Sequence, residues 1–537
     1  MKTIRYISLA LFAAVLLGAC TKDLDTKPIN KDDFTSDQAY DSPESYMQGL
    51  AKIYAGFVVV GQEDPGKPEI NVSDAGSSEL NRAFWSLQEL TTDAAKCAWN
   101  NDSWAIDINF NTWSDAPNDG IAAVYYRTVL VVTLTNEYLR QTSDGKLSER
   151  GVDDKLRATI QKYRAEARFL RAYAYWMAMD IFGNMPFVTE NDPIGKYFPP
   201  QIKRADLFRF IEGELLELEL SPDMAEARAN EYPRADKGAV RGLLARMYLN
   251  AEVYSGEKRY SDAMTYAGKV IADFTLADNY ADLFKADNDM NPDARREIVF
   301  SIAYDATYTR SYGGTSYFIN STFGPDDPDK TLIGSDGWSG NRVNYEFVKK
   351  FGVSNADYET GTFDCPDRRA LFHIKGRSEE MNDAFAFSEG WGVMKFSNRT
   401  SGGVLTNIGA FSSTDLPLIR AGEMYLIYAE ASLRNGGSPS DAVALGYVND
   451  VRRRAGLDAI PNYDLSYLLE ERARELYWEG HRRTDLIRFG KYVSSDYLWP
   501  YKGGVKSGKG LSARYNLFPL MASDVDANPN LVQNPGY

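Results

Sequence analysis

Two stretches of this chain repeat one pattern, and that pattern limits the folds open to it. Lys237 to Tyr254 and Tyr260 to Ile271 lie either side of a Ser-Gly-Glu-Lys break and set small Ala residues among Leu, Met and Tyr at helical spacing. Leu418 to Leu433 and Ala442 to Val451 do the same around Gly436-Gly437-Ser438-Pro439. Spacings of three and four give each helix one apolar face, and the alanines let antiparallel neighbours pack closely. Tyr46 to Val59, Ala122 to Leu139, Lys155 to Ile181 and Leu207 to Leu218 share the period, so the chain reads as mainly α. Residues 274–415 break it, being rich in Gly, Asn, Asp and Thr with short β-prone runs at Ile298 to Tyr304 and Tyr317 to Asn320. Val72 to Ala116 is likewise irregular and Trp-rich. Long loops presented by a rigid frame tend to carry function. The helices over about 43–273 and 416–490 are therefore the frame, and the insertion 274–415 with the loop 72–116 is where a site is expected.

The first residues have a different purpose. Lys2 and Arg5 precede an apolar run from Ile7 to Leu17, followed by Gly18 and Ala19 directly before Cys20. Charged, apolar and small residues in that order make residues 1–19 an export signal, with an apolar run shorter than the roughly 20 residues that span a bilayer. Leu17-Gly18-Ala19-Cys20 resembles the bacterial lipobox, which implies lipidation of Cys20 and membrane attachment through that lipid. Residues 20–42 are polar and read as a tether to the folded body at 43–537. Loss of Lys2 and Arg5 takes the net charge from -15 to -17, which argues against nucleic acid or acidic lipid as a partner. With His373 and His481 the only histidines, a histidine-based zinc site or Ser-His-Asp triad has little material. Cys97 and Cys365 leave both a disulfide and two free thiols open. Thirty-four tyrosines and nine tryptophans suit stacking on sugar rings, and suit a large core equally.

The helix pairs, each of about 35 residues, resemble tetratricopeptide repeats. A longer resemblance is carried by Arg164-Ala165-Glu166-Ala167-Arg168-Phe169-Leu170-Arg171-Ala172-Tyr173 and its continuation through Trp176 to Asp180-Ile181-Phe182-Gly183-Asn184-Met185-Pro186. Arg474-Glu475-Leu476-Tyr477-Trp478-Glu479-Gly480-His481-Arg482-Arg483-Thr484-Asp485 and the ending from Leu517-Phe518-Pro519-Leu520 to Gly536-Tyr537 belong with it. Together they resemble the SusD/RagB family over essentially the whole chain. That resemblance implies a tetratricopeptide-like scaffold on an outer-membrane lipoprotein facing the cell exterior. It also implies capture of a glycan for a SusC-like TonB-dependent transporter, without catalysis. A secreted glycosidase is the rival from another class, and it needs two carboxylates roughly 5 to 10 Å apart across an open cleft. Glu471, Glu475 and Glu479, four apart on an expected helix from Ser466 to Phe489 with Arg474, Arg482 and Arg483 nearby, read instead as charge pairs along or between helices.

Within the family the chain looks especially like its starch-binding member, which implies a glycan site. Trp99, Tyr312 and Trp338 match its aromatic platforms. Asp74 and Arg82 match polar groups that bond sugar hydroxyls, as do Asn100, Asn101 and Asp102, among which the match is blurred. Another glycan in the same role stays open, and Trp85, Trp104 and Trp113, which have no such match, are expected in the core. Asp287-Asn288-Asp289-Met290-Asn291-Pro292-Asp293 offers several oxygen ligands suited to calcium, or forms an Asx-rich turn. The resemblance implies structural calcium at Asp289 and Asn291 with Asp415.

Overall fold

A computed structural model describes residues 39–537. The expected export signal and Cys20 lie outside them. The frame is helical, and its helices begin and end where the sequence places caps. Asn118 accepts from the Gly120 and Ile121 amides at the start of Asp119–Gln141, and Asp153 accepts from Leu156 at the start of Asp154–Phe182. Gly183, at φ +73°, ends the latter. Asp236, Asp441 and Asp464 cap three further helices, each satisfying amides that have no partner within the helix.

Packing follows chain order. Pro43–Ala55 and Asp119–Gln141 lie on Asp154–Phe182, which packs on Arg204–Leu220, then Lys237–Leu249, then Tyr260–Asp273. Tyr260–Asp273 packs in turn on Ala421–Arg434, which contacts Ala442–Arg454 and Leu465–Leu476. This is the tetratricopeptide-like scaffold expected from the sequence. The insertion is spliced between Tyr260–Asp273 and Ala421–Arg434, and its two ends pair with each other. Ile298–Ile302 runs antiparallel to Leu416–Arg420, with Leu416 opposite Ile302 and Arg420 opposite Ile298. Gly242 lets this ladder approach the frame, since a Cβ there would stand 2.5 Å from Ile419 Cγ2.

Four expectations change in detail. Leu416–Arg420 is a strand, so the helix expected from Leu418 begins at Ala421. Tyr317 to Asn320, β-prone by composition, belongs to a buried helix, Gly314–Asn320. Val72 to Ala116 is less irregular than its sequence, containing the helices Leu80–Trp85 and Ser103–Phe110 and a π-helical turn, Ser86–Leu90. Finally, the helix expected from Ser466 to Phe489 is two, Leu465–Leu476 and Arg482–Arg488. Between them Trp478 takes φ +63° and Gly480 φ +78°. The buried Glu89 carboxylate holds that turn by accepting from the Gly480 and His481 amides at 2.8 and 3.1 Å. Trp85, Trp104 and Trp113 are core residues, as expected, and Cys97 and Cys365 are free thiols.

Glu471, Glu475 and Glu479 face inwards and bind cations from other elements. Arg420 contacts Glu297 at 2.8 Å, Glu475 at 2.5 Å and Glu479 at 2.7 Å. Arg369, from the insertion, contacts Asp367, Glu471 and Glu475 at 2.7 to 3.0 Å. Arg454 closes on Glu297 and Glu475. Although burial opposes ionisation, these neighbouring cations hold Glu471 and Glu479 down to about 2 and Glu475 lower still. Carboxylates depressed in the folded state contribute stability that is present above their unfolded value, about 4.3, and lost as pH falls through the folded values. Urea unfolding should therefore show wild-type stability falling steeply between pH 4 and 2, about the window just derived. Glu475→Gln, which takes one buried carboxylate partner from each of Arg369, Arg420 and Arg454, should lose about 3–5 kcal/mol at pH 7.

Candidate functional site

The ring-bearing segments come together through a short ladder. Lys96–Cys97 pairs antiparallel with Asn341–Arg342, and the Ala98 amide continues the pairing to Gly340 O at 2.8 Å. Trp99 and Trp338 leave this ladder side by side, and the Trp99 indole N–H donates to Trp338 O at 2.9 Å. Gly340 makes the contact possible, because a Cβ there would stand 2.9 Å from Trp99 Cζ2. Trp338 is anchored in turn by its amide, which donates to Asn320 O at 2.8 Å.

Tyr312 arrives on the loop before Gly314–Asn320. Buried Glu79, the N-cap of Leu80–Trp85, accepts from the Arg82 amide and from the Gly314 amide, and so fixes that loop against the Arg82 helix. Gly313 is required here, since its Cβ would overlap the Glu79 side chain at 2.3 Å. Tyr312 stands 6.2 Å from Trp338 with the two rings inclined at 62°, and Phe411 supports it from behind at 5.1 Å.

Arg82 is the polar centre. Its guanidinium lies 4.4 Å from the Tyr317 ring centroid and 5.5 Å from that of Trp99. One Nη donates to Tyr312 O at 3.1 Å and the other to Asp74 Oδ2 at 2.8 Å. Arg82 itself is buried, whereas the Asp74 side chain is 45% exposed, so the pair presents its carboxylate outwards. Asn100 and Asn101 are exposed beside Trp99. Asp102 begins Ser103–Phe110, and its carboxyl is raised above the ordinary range by partial burial and by the nearby Asp74 charge.

All eight residues expected from the sequence, Asp74, Arg82, Trp99, Asn100, Asn101, Asp102, Tyr312 and Trp338, line one open hollow of about 460 Å³. Ala98 is the other lining residue. Sequence reasoning missed the supports behind it: Glu79, Tyr317, Gly340 and Phe411. They are buried or glycine, and only the proximity of Gly340 to Trp338 in sequence gave a signal. A separate cavity of about 320 Å³ near Val129, Val132, Met185 and Leu531 is walled mainly by apolar groups and contains none of the eight.

At the expected calcium residues, Asn288 ties the 287–293 turn to Asp415, donating to Asp415 O at 2.9 Å and accepting from its amide at 3.3 Å. Burial and nearby Asp289 push the Asp415 carboxyl up to about 7. Its oxygens accept from Tyr304 N and Tyr232 Oη. Asn291 Oδ1 caps the helix Pro292–Glu297 through the Asp293 amide. Among the described residues no group of three or more His, Cys, Asp or Glu side chains converges for a metal, and none of the helices is long and apolar enough to cross a membrane.

A helical frame presents inclined aromatic faces around an open hollow edged with hydrogen-bonding groups, a surface whose flat faces and polar rim match those of a sugar ring. Comparison with known proteins gives the family. Residues 373–537 match the SusD family, and residues 34–249 match a SusD-like family described as starch-binding and associating with the outer membrane. The starch-binding protein SusD of Bacteroides thetaiotaomicron is 35% identical, with the whole of both chains covered. A SusD superfamily protein from Parabacteroides distasonis superposes with a TM-score of 0.69 at 21% identity, covering 94% of this chain and 100% of that one. A laminarin-binding SusD-like protein gives 0.66 at 20%, with 92% and 99% covered. The chain belongs to the SusD family, whose members bind glycans, have no catalytic role and work with SusC-like transporters.

Gly340→Ala tests the platform geometry without touching a lining residue. The new methyl should displace the Trp99 indole, visible as a changed near-UV dichroism spectrum, at a stability loss of about 1–3 kcal/mol in urea unfolding. An unchanged spectrum would show that Gly340 does not position the ring.

Proposed function

We propose that this protein captures starch or related α-glucan oligosaccharides in the hollow at Trp99, Tyr312 and Trp338 and delivers them to a SusC-like TonB-dependent transporter. A lipid on Cys20 would hold it to the outer membrane, facing the cell exterior. The observation that carries the reading is the convergence of the three rings with Asp74, Arg82, Asn100, Asn101 and Asp102 on one surface. An α-1,4-glucan curves, and ring planes inclined at 62° suit a ligand that turns between residues better than a flat ribbon. The Trp99 N–H is already bonded to Trp338 O, so Trp99 offers its face to a sugar. Each stacked ring contributes about 1 kcal/mol, which gives the modest affinity that onward transfer needs. The 35% identity to a starch-binding protein supports the choice of glucan.

A different glycan is the second reading, because the laminarin-binding relative has the same fold. Native electrophoresis through amylopectin or laminarin decides between them. Wild type should be retarded by amylopectin, while Trp99→Ala and Trp338→Ala should migrate as in a blank gel. Retardation by laminarin alone would move the reading to another glycan.

Calcium is proposed alongside, held by Asp289, Asn291 and Asp415 at the 287–293 turn, with a purely structural role. Buried Asp415 beside Asp289, in a turn fastened by Asn288, is a carboxylate pair that a cation would neutralise. After chelation, calcium restored at about 100 times its dissociation constant should stabilise the protein by about 2.7 kcal/mol in thermal melts. Identical melts with and without calcium would remove the proposal.

A further inference from the structure

Trp338 has a second neighbour. Sharing Trp338 with the first hollow is a depression of about 750 Å³, whose lining also includes Lys330, Thr331, Asp336, Leu405 and Gly409. It is built from the two loops that support the first hollow: 330–338, which carries Trp338, and 403–411, which carries the Phe411 support of Tyr312. These loops are fastened together by side chains. Asn407 donates to Gly334 O at 3.0 Å and to Gly409 O at 2.7 Å. Arg399 donates to Thr331 O, Leu332 O and Gly403 O at 2.9 to 3.2 Å, and Asn398 to Ile333 O at 2.7 Å. Asn320, which receives the Trp338 amide, donates its own side-chain N–H to Ala410 O at 2.8 Å. A cradle held this way is preformed, and a ligand entering it loses little free energy to ordering the protein.

We propose that this depression is a second oligosaccharide subsite, reached by a glycan chain that leaves the first hollow across Trp338. Its chemistry suits a neutral polyhydroxylated ligand. The only formal charges in its lining, Lys330 and Asp336, pair with each other at 3.3 Å, so neither sign is in excess. Exposed Leu405 offers an apolar surface for a sugar face, and the Thr331 and Ser335 hydroxyls belong to the same lining. The inference rests on the α-glucan reading and extends it, making the protein selective for chain length.

Calorimetric titration of the purified protein with maltohexaose, and with a maltodextrin about twice as long, tests it. Wild type should bind the longer chain about tenfold more tightly, equivalent to ~1.4 kcal/mol. Leu405→Ala and Asp336→Ala, both at the surface, should keep the melting temperature and the maltohexaose affinity of wild type while losing that gain. A gain that survives both substitutions would come from the additional registers a longer chain offers, and would overturn the subsite. So would equal affinity for both chains in wild type. If wild type binds neither sugar, the α-glucan reading fails and takes the subsite with it.

Discussion

The buried charges around Arg420 and Glu475 hold the insertion to the frame. Glu297 stands directly before the strand Ile298–Ile302 and Arg420 ends its partner Leu416–Arg420, so both feet of the insertion are charged residues that meet inside the protein. Glu475 and Glu479 come from the frame, while Arg369 and Lys395 come from deeper in the insertion. Burying so many ions is expensive, and well-packed apolar residues of the same volume often stabilise a fold as well or better. What the network adds is specificity of arrangement. Each guanidinium has carboxylate partners from more than one element, and any displacement of the insertion separates charges that cannot be rehydrated in place.

Buried charge also braces the segment that carries Arg82. Glu89 and Trp85 belong to the run that begins with Arg82, and both bond the turn between Leu465–Leu476 and Arg482–Arg488. Asp180, near the end of Asp154–Phe182, accepts from Gln88, Tyr254 and Thr484, joining the two family motifs to that run. The chain's ending is laid over the same place, with Asn534 donating to Phe182 O and Phe518 O. The motifs that identify the family are thus structural, and they fix the base from which Arg82 and the rings project.

This division explains what was legible in the sequence. Helices such as Asp154–Phe182 announce themselves because one apolar face repeats at the helical period. The run through Glu79, Arg82, Gln88 and Glu89 does not, since what it buries is polar and depends on distant partners such as Tyr304, Asp180 and the Gly480 amide. The split after Leu476 was hidden for a related reason: Trp478 takes a left-handed conformation only because Trp85, Ala94 and Glu89 bind the turn around it. Tyr317 to Asn320 has strand-forming residues but is buried as a helix, a case of tertiary context overriding propensity. The eight lining residues were reached through family resemblance, with no local pattern to mark them. Their convergence depends on Cys97 pairing with Asn341, a contact with no local signature.

Rigidity and weak affinity are compatible in such a site. The Trp99 ring is fixed by its own N–H and by the Arg82 guanidinium beside it, and Tyr312 is held by Glu79 and Phe411. Little is left to order when a sugar arrives, so the small energy of each stacked ring is not consumed in arranging the protein. The same preorganisation limits the gain, because the rings cannot close around the ligand to collect further contacts. On the proposed reading, such a surface would strengthen its hold chiefly by engaging more sugar units, so the length of the platform, set by the loops that carry Trp338 and Phe411, would determine how tightly a chain is kept before it is released.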